Sequence, residues 1–187
     1  MTERLVSKRS YPWTDEIGGR KVTFRPMTAA DREATLAFTR GLDHDDILFL
    51  QSDITKPEVI DEWLYFIEHG HAIVILAIDS SDKVIGYASL YHNNTSWTRH
   101  QGELRLFVRK SLRGTGIGKH LSREISQIAE EQNLELIVVN IPRDSPHLRV
   151  MFEKIGFTVE ALLTDWLIDA DGRTHDLIVM AKRVKDF

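Results

Sequence analysis

Residues 108–121 read Val-Arg-Lys-Ser-Leu-Arg-Gly-Thr-Gly-Ile-Gly-Lys-His-Leu, and no other stretch limits the possible folds of this chain so tightly. Upstream, Leu104, Leu106 and Val108 alternate as the apolar face of a strand. Downstream, Leu121, Ile125 and Ile128 recur at helical spacing. Between them lies a basic turn carrying Gly114, Gly116 and Gly118. A strand, a glycine loop and a helix in immediate succession leave free main-chain N–H groups at the positive end of the helix dipole. Phosphate is the natural guest of such a terminus, and the missing side chains let a pyrophosphate come close to the amides.

Three phosphate loops can be tested against this turn. A Walker loop, Gly-x-x-x-x-Gly-Lys-Ser/Thr, fails: Arg113 stands at the first glycine and His120 at the hydroxyl. The dinucleotide pattern Gly-x-Gly-x-x-Gly also fails, ending on Lys119 from Gly114 or on Leu121 from Gly116. Gln/Arg-x-x-Gly-x-Gly/Ala fits, with Arg113, Gly116 and Gly118. Further along, Leu148, Met151, Phe152 and Ile155 mark one face of a helix that Gly156 stops. Residues 151–157, Met-Phe-Glu-Lys-Ile-Gly-Phe, resemble the Leu-Tyr-Glu-Lys-x-Gly-Phe string of the fourth helix in GNAT acetyltransferases, and the Arg113 loop resembles their coenzyme A loop. The resemblance spans about residues 20–184, nearly the whole chain.

The rest of the sequence alternates strand and helix signals. Residues 21–25 alternate as a strand closed by Pro26, and Thr28 with Asp31 forms a capping-box-like helix start that Gly41 terminates. Thr55 and Glu58 suggest a second box, with Pro57 in the first turn and Gly70 at the end. The apolar face of that helix would be Val59, Ile60, Trp63, Leu64 and Ile67. Residues 72–78 and 84–91 read as strands around Ser80-Ser81-Asp82, and 103–108 as the strand entering the loop. The apolar run 136–141 suits a strand buried on both faces. Residues 157–168 and 175–180 form a closing hairpin around Asp171-Gly172. The order β-α-α-β-β-β-α-β-α-β-β matches GNAT architecture. The expected fold class is therefore α/β (α+β), a mixed, mostly antiparallel sheet splayed between its fourth and fifth strands and flanked by helices. Residues 18–187 form the expected domain; residues 1–17, with a basic start and Pro12-Trp13, form an extension that packs on it or hangs free.

Composition narrows the function classes. A net charge of −4 over 187 residues argues against a general nucleic-acid binder. With no cysteine there is no thiol nucleophile, thiolate metal site or disulfide. No apolar run approaches the ~20 residues that span a bilayer, and no secretory signal is visible. A cytoplasmic, single-domain protein with no membrane partner is the expectation. His69-Gly-His71 lacks accompanying ligands at metal-binding spacing, so no metal is expected.

The resemblance implies acetyl-CoA (coenzyme A) as co-substrate. Its pyrophosphate would lie on the loop of Arg113, Gly114, Thr115, Gly116, Ile117, Gly118 and Lys119, and its pantetheine along the main chain of Leu106, Phe107 and Val108. It implies an N-acetyltransferase acting by direct attack in a ternary complex on an amine-bearing substrate, a protein lysine or a small amine such as an aminoglycoside or polyamine. Arg25-Pro26-Met27 followed by Asp31 is similar to the bacterial protein-lysine modifiers of the superfamily. A homodimer is an open assembly. Glu103, at the start of the pantetheine strand, is the candidate proton acceptor, although Arg105 two residues on shares its face and can simply pair with it. His100 is the second candidate base. The family's proton-donating tyrosine is replaced by Phe152, and Ser145 stands near the place of its helix-opening asparagine. The alternative reading is therefore an acyl-CoA-binding sensor with little turnover. The acidic stretch Asp43-His44-Asp45-Asp46, together with Asp53, suits a cationic acceptor, while Trp63, Tyr65 and Phe66 read as core and groove wall.

Overall fold

The computed structural model describes residues 7–47, 52–93, 97–169 and 171–184. The chain runs β1 (Trp13–Ile17), β2 (Arg20–Pro26), a 3-10 turn (Ala29–Asp31) leading into α1 (Arg32–Arg40), α2 (His44–Ile47), α3 (Pro57–Glu68), β3 (Ala72–Ile78), β4 (Val84–Tyr91) and β5 (Gln101–Val108). A second 3-10 turn (Lys110–Leu112) leads to α4 (Ile117–Glu131), followed by β6 (Leu136–Pro142), α5 (Pro146–Lys154), β7 (Thr158–Ile168) and β8 (Thr174–Arg183). All eight strands form one sheet in the order β1-β2-β3-β4-β5-β6-β8-β7. Every neighbouring pair is antiparallel except β5 and β6.

The adjacent strands β3 and β4 are buried along nearly their whole length because both faces are covered. On one face Ile73, Ile75, Ala88 and Leu90 pack against Leu121, Ile125 and Ile128 of α4. On the other, Val74, Leu76 and Tyr87 meet Leu36 of α1 and Ile60 and Trp63 of α3. Each such fully buried side chain contributes about 1.5–3 kcal/mol relative to exposure. The loop-bearing helix α4 is therefore clamped to the middle of the sheet.

Three expectations need revision. First, α3 is not opened by Thr55. Lys56 is its N-cap residue, and Pro57 supplies the first turn. The Thr55 hydroxyl is engaged by Asp53 at 2.6 Å instead. Second, β6 is buried on alternate residues only. Ile137, Val139 and Ile141 enter the core, whereas Asn140 is exposed, because the sheet opens beside this strand and no layer covers its other face. Third, the N-terminal segment contributes a strand. β1 pairs with β2 from Trp13↔Phe24 to Ile17↔Arg20. Ahead of it, the buried Glu124 carboxylate of α4 accepts hydrogen bonds from Arg9, from the Tyr11 hydroxyl at 2.7 Å and from the Trp13 indole at 3.1 Å. Burial and the Glu124 carboxylate together raise the Tyr11 pKa. Residues 7–17 therefore pack on α4, and the turn after β1 lies beside the phosphate loop: a Cβ added at Gly18 would come within 3.1 Å of Thr115 Cβ.

Candidate active site

The site begins where two strands part. β5 and β6 share only three register pairs, Gln101↔Leu136, Gly102↔Ile137 and Glu103↔Val138. Beyond Glu103, β5 stays with β4 up to Gly86↔Val108, while β6 stays with β8 up to Pro142↔Leu177. The gap between them is a cavity of about 970 Å³. Leu106, Phe107 and Val108 form one wall and Ile141, Leu148 and Phe152 the other.

The glycine loop stands at its mouth. Gly116 is the N-cap of α4 at φ +109°, a left-handed conformation that glycine adopts without strain, and no side chain caps the helix. His120 N–H donates to the Gly116 carbonyl at 3.1 Å. Among the described residues, no hydrogen bond engages the main-chain N–H groups of 114–119, so they form a set of orphan donors at the positive helix end. Arg113, Gly114, Gly116, Gly118 and Lys119 line the cavity. Thr115 and Ile117 do not: the Thr115 hydroxyl donates to the Leu112 carbonyl at 2.7 Å, and Ile117 is buried in the core. Their side chains hold the loop and only their amides remain for an anion. The residues present fit a pyrophosphate.

The acidic stretch after α1 is occupied by the protein's own cations. Asp43 pairs with Lys110 at 2.6 Å, and Asp46 pairs with Arg113. The Lys110 hydrogen bond holds the Asp43 carboxyl below the usual carboxylate range, and Asp53 is lowered chiefly by the Thr55 hydroxyl. Asp43 and Asp46 brace the phosphate loop and Asp53 the start of α3; Asp46 also borders the larger cavity, whereas Asp43 and Asp53 border neither. The side chains of His44 and Asp45 lie outside the described residues.

A second cavity, of about 620 Å³, opens beside the other end of β5. Phe66, His71, Tyr91, His92, Glu103 and Asn140 contribute to its walls. Glu103 keeps one-third of its side chain exposed and accepts a hydrogen bond from Arg105 Nε at 3.1 Å. The Arg105 guanidinium in turn lies 4.9 Å from the Tyr91 ring centroid. Pairing and access to the cavity thus coexist at Glu103. Burial pushes the Tyr91 hydroxyl pKa well up. His100 borders neither cavity. Its carbonyl accepts the Glu135 N–H at 2.8 Å and its ring lies 3.2 Å from the Gln101 amide. The histidines of this wall are His71 and His92, which flank one end of the β3–β4 pair and are joined by a His92 N–H bond to the His71 carbonyl at 3.0 Å. Sequence reasoning missed Asn140, whose signal was a lone polar residue inside an aliphatic strand. Phe152 is buried edge-on against Phe157, at a ring separation of 5.3 Å, on the wall of the larger cavity. No group of three or more potential metal ligands occurs among the described residues, and none of their helices is long and apolar enough to cross a membrane.

Known proteins share this fold. YwnH of Bacillus subtilis (strain 168), whose name assigns it phosphinothricin acetylation only provisionally, is 22% identical over 169 residues, covering 87% of this chain and 99% of that protein. The ribosomal-protein-alanine N-acetyltransferase of Brucella melitensis superposes with a TM-score of 0.73 at 26% identity, over 86% of this chain and 98% of that one. The Salmonella typhimurium YncA structure, which contains acetyl-CoA, superposes with a TM-score of 0.74 at 20% identity, over 89% and 95% of the two chains. The family model described as acetyltransferase (GNAT) matches residues 38–157. With that match across the splayed strands, the glycine loop and α5, the chain belongs to the GNAT acetyltransferase family.

Proposed function

We propose that the protein transfers the acetyl group of acetyl-CoA to a primary amine, within a complex that holds both substrates at once. The observation that carries this reading is the row of orphan amides at 114–119, standing at the mouth of a slot that reaches Glu103 from one side while a second cavity reaches it from the other. Acetyl-CoA, seated with its pyrophosphate on those amides, supplies an activated acetyl group whose carbon–sulfur bond breaks as a nitrogen–carbon bond forms.

The protein's own groups supply alignment and proton transfer. An alkylamine has a pKa near 10.4, so removing its proton at neutral pH costs roughly 4–5 kcal/mol. Glu103 takes that proton from the ammonium, and the main-chain N–H of Val108, which the alternation of the β4–β5 ladder turns away from β4, faces the developing negative charge on the carbonyl oxygen. The second amine proton leaves for the departing sulfur or for solvent, which balances the reaction. The acceptor is either a small amine or a protein lysine or N-terminus. The buried Phe152 has no proton to give, and this favours a second reading in which acyl-CoA is bound and sensed with little turnover.

Thiol release from acetyl-CoA separates the two readings. The panel is phosphinothricin, spermidine, an aminoglycoside, a peptide with N-terminal alanine and Nα-acetyl-lysine amide. Amine-stimulated release with at least one member is expected. Tight acetyl-CoA binding without stimulated release by any member would replace transfer with sensing.

A further inference from the structure

We propose that the side-chain amide of Asn140 binds the acceptor amine where the two cavities meet, opposite Glu103. The inference rests on the transfer reading above and names a residue that touches the acceptor. β6 reads Leu-Ile-Val-Val-Asn-Ile-Pro, and asparagine is an uncommon choice inside a strand. Its main chain is held in the sheet by the Asn140↔Val179 pair, yet its side chain is exposed and makes no hydrogen bond to any described residue. A side chain exposed to water needs no protein partner, so a role for this amide has to come from where it stands.

Its position supplies that role. Glu103 is in parallel register with Val138, so Val138 and Asn140 share the sheet face of Glu103. Asn140 lies two residues further along β6, about 7 Å at the usual strand rise, on the side where the strands have parted. Among the described residues, Glu103 and Asn140 are the two that border both cavities. An amine entering through the smaller cavity toward an acyl group in the larger one must pass between them.

The chemistries of the two side chains are complementary. Once Glu103 has taken one proton from the ammonium, the nitrogen keeps two N–H bonds and one lone pair. The Asn140 carbonyl oxygen accepts one of those N–H groups. That contact turns the lone pair toward the larger cavity, where the carbonyl carbon is to be attacked. The aliphatic side chains beside it on β6 could not do this.

The test uses the full chain, with Asn140→Ala and Asn140→Asp compared with wild type. Nα-acetyl-lysine amide is the first probe amine, with the most active panel member as the second. Calorimetry measures coenzyme A affinity in the free protein and amine affinity in the coenzyme A-loaded protein. Steady-state thiol release gives kcat/KM for the amine. For Asn140→Ala, the expected result is a drop of roughly 10–100-fold in amine kcat/KM, the loss of one hydrogen bond to a cationic amine. Amine affinity should weaken in parallel, with coenzyme A affinity and melting temperature unchanged. Asn140→Asp keeps an acceptor oxygen and should restore most of the amine affinity. Unaltered amine kinetics in Asn140→Ala would overturn the assignment, as would an equal loss of coenzyme A affinity. An Asp variant as damaged as the Ala variant would also overturn it, since the amide N–H would then be the working group. If wild type binds the amine but releases no thiol, transfer fails while the binding measurement still decides the role of Asn140.

Discussion

The two cavities that meet at Glu103 are built from different materials. The larger one recognises its guest with main chain: orphan amides of 114–119 at its mouth and the unpaired edge of β5 along its length. The smaller one is walled by side chains from separate elements, among them Phe66 of α3, Tyr91 of β4, Glu103 of β5 and Asn140 of β6. Main-chain recognition demands glycine at fixed spacing and little else. Side-chain recognition can change one residue at a time without disturbing the fold. On the proposed function, the common substrate and the variable one would be bound by the rigid and the adjustable halves of a single slot.

The sharpest way to break that contrast is Glu103→Gln. If Glu103 accepts the amine proton, turnover should fall roughly 10²–10⁴-fold with coenzyme A affinity unchanged, because the residue lies away from the phosphate loop. A lowered melting temperature with an intact acidic limb of the pH–rate profile would instead make its bond to Arg105 structural.

Gly116→Val tests the other half. A β-branched residue at φ +109° costs about 1–3 kcal/mol of strain, and relieving it turns the amides away. Coenzyme A affinity by calorimetry should fall about 10–100-fold while the far-ultraviolet spectrum is unchanged. Unaltered affinity would remove the loop from cofactor binding. Gly118 is the milder control: a Cβ there would meet Val108 at 3.7 Å and Leu106 at 3.8 Å, ordinary contacts. Gly118→Ala should therefore narrow the slot without reorienting the amides.

Stability effects rank below these. Glu124→Ala leaves the Tyr11 hydroxyl and Trp13 indole without their acceptor. Each unsatisfied donor costs about 1–3 kcal/mol, readable as a lower melting temperature. Coenzyme A affinity measured well below that temperature should hold, because the contact lies at the middle of α4, about two turns beyond the loop. Retained stability would mean that the N-terminal segment is not anchored there.

The smallest expected effect is a pH dependence where the β7–β8 hairpin meets the segment before α5. His175 bridges Asp144, at 2.7 Å in the segment before α5, and Asp169, at 3.0 Å just after β7. These two carboxylates raise the His175 pKa above its ordinary value of about 6.5. A raised folded-state pKa gives stabilisation that is complete below the unfolded value and is lost as pH rises through the folded value. The melting-temperature difference between wild type and His175→Gln should therefore shrink as pH rises from 6 toward 9. A constant difference would show that the bridge does not depend on charge.

Local order was strongly encoded. The strands 72–78 and 84–91 occur with the bounds their periodicity suggested, and Gly156 stands just past α5 at φ +96°, as capping chemistry favours, while Gly41 ends α1 at an ordinary φ of −92°. The glycine loop was equally legible, since a site made of backbone must be written in contiguous residues. β6 was harder to read: its aliphatic run says nothing about whether a layer covers each face, and only the divergence from β5 decides that. For the same reason the acidic residues after α1 looked like a substrate groove until Lys110 and Arg113 were found against them.

By itself, then, the sequence determined the strand–loop–helix unit and its anion-binding amides, because hydrogen-bond geometry and glycine spacing act over a few neighbouring residues. Only the tertiary structure decided which residues wall the smaller cavity. His71 and His92 meet at the end of the β3–β4 pair, and Glu103 and Asn140 border both cavities because β5 and β6 pair for three residues and then part. The energy that fixes where they part is the burial of α4 and α5 against the sheet, spread over core residues that carry no chemical signature of the site they create.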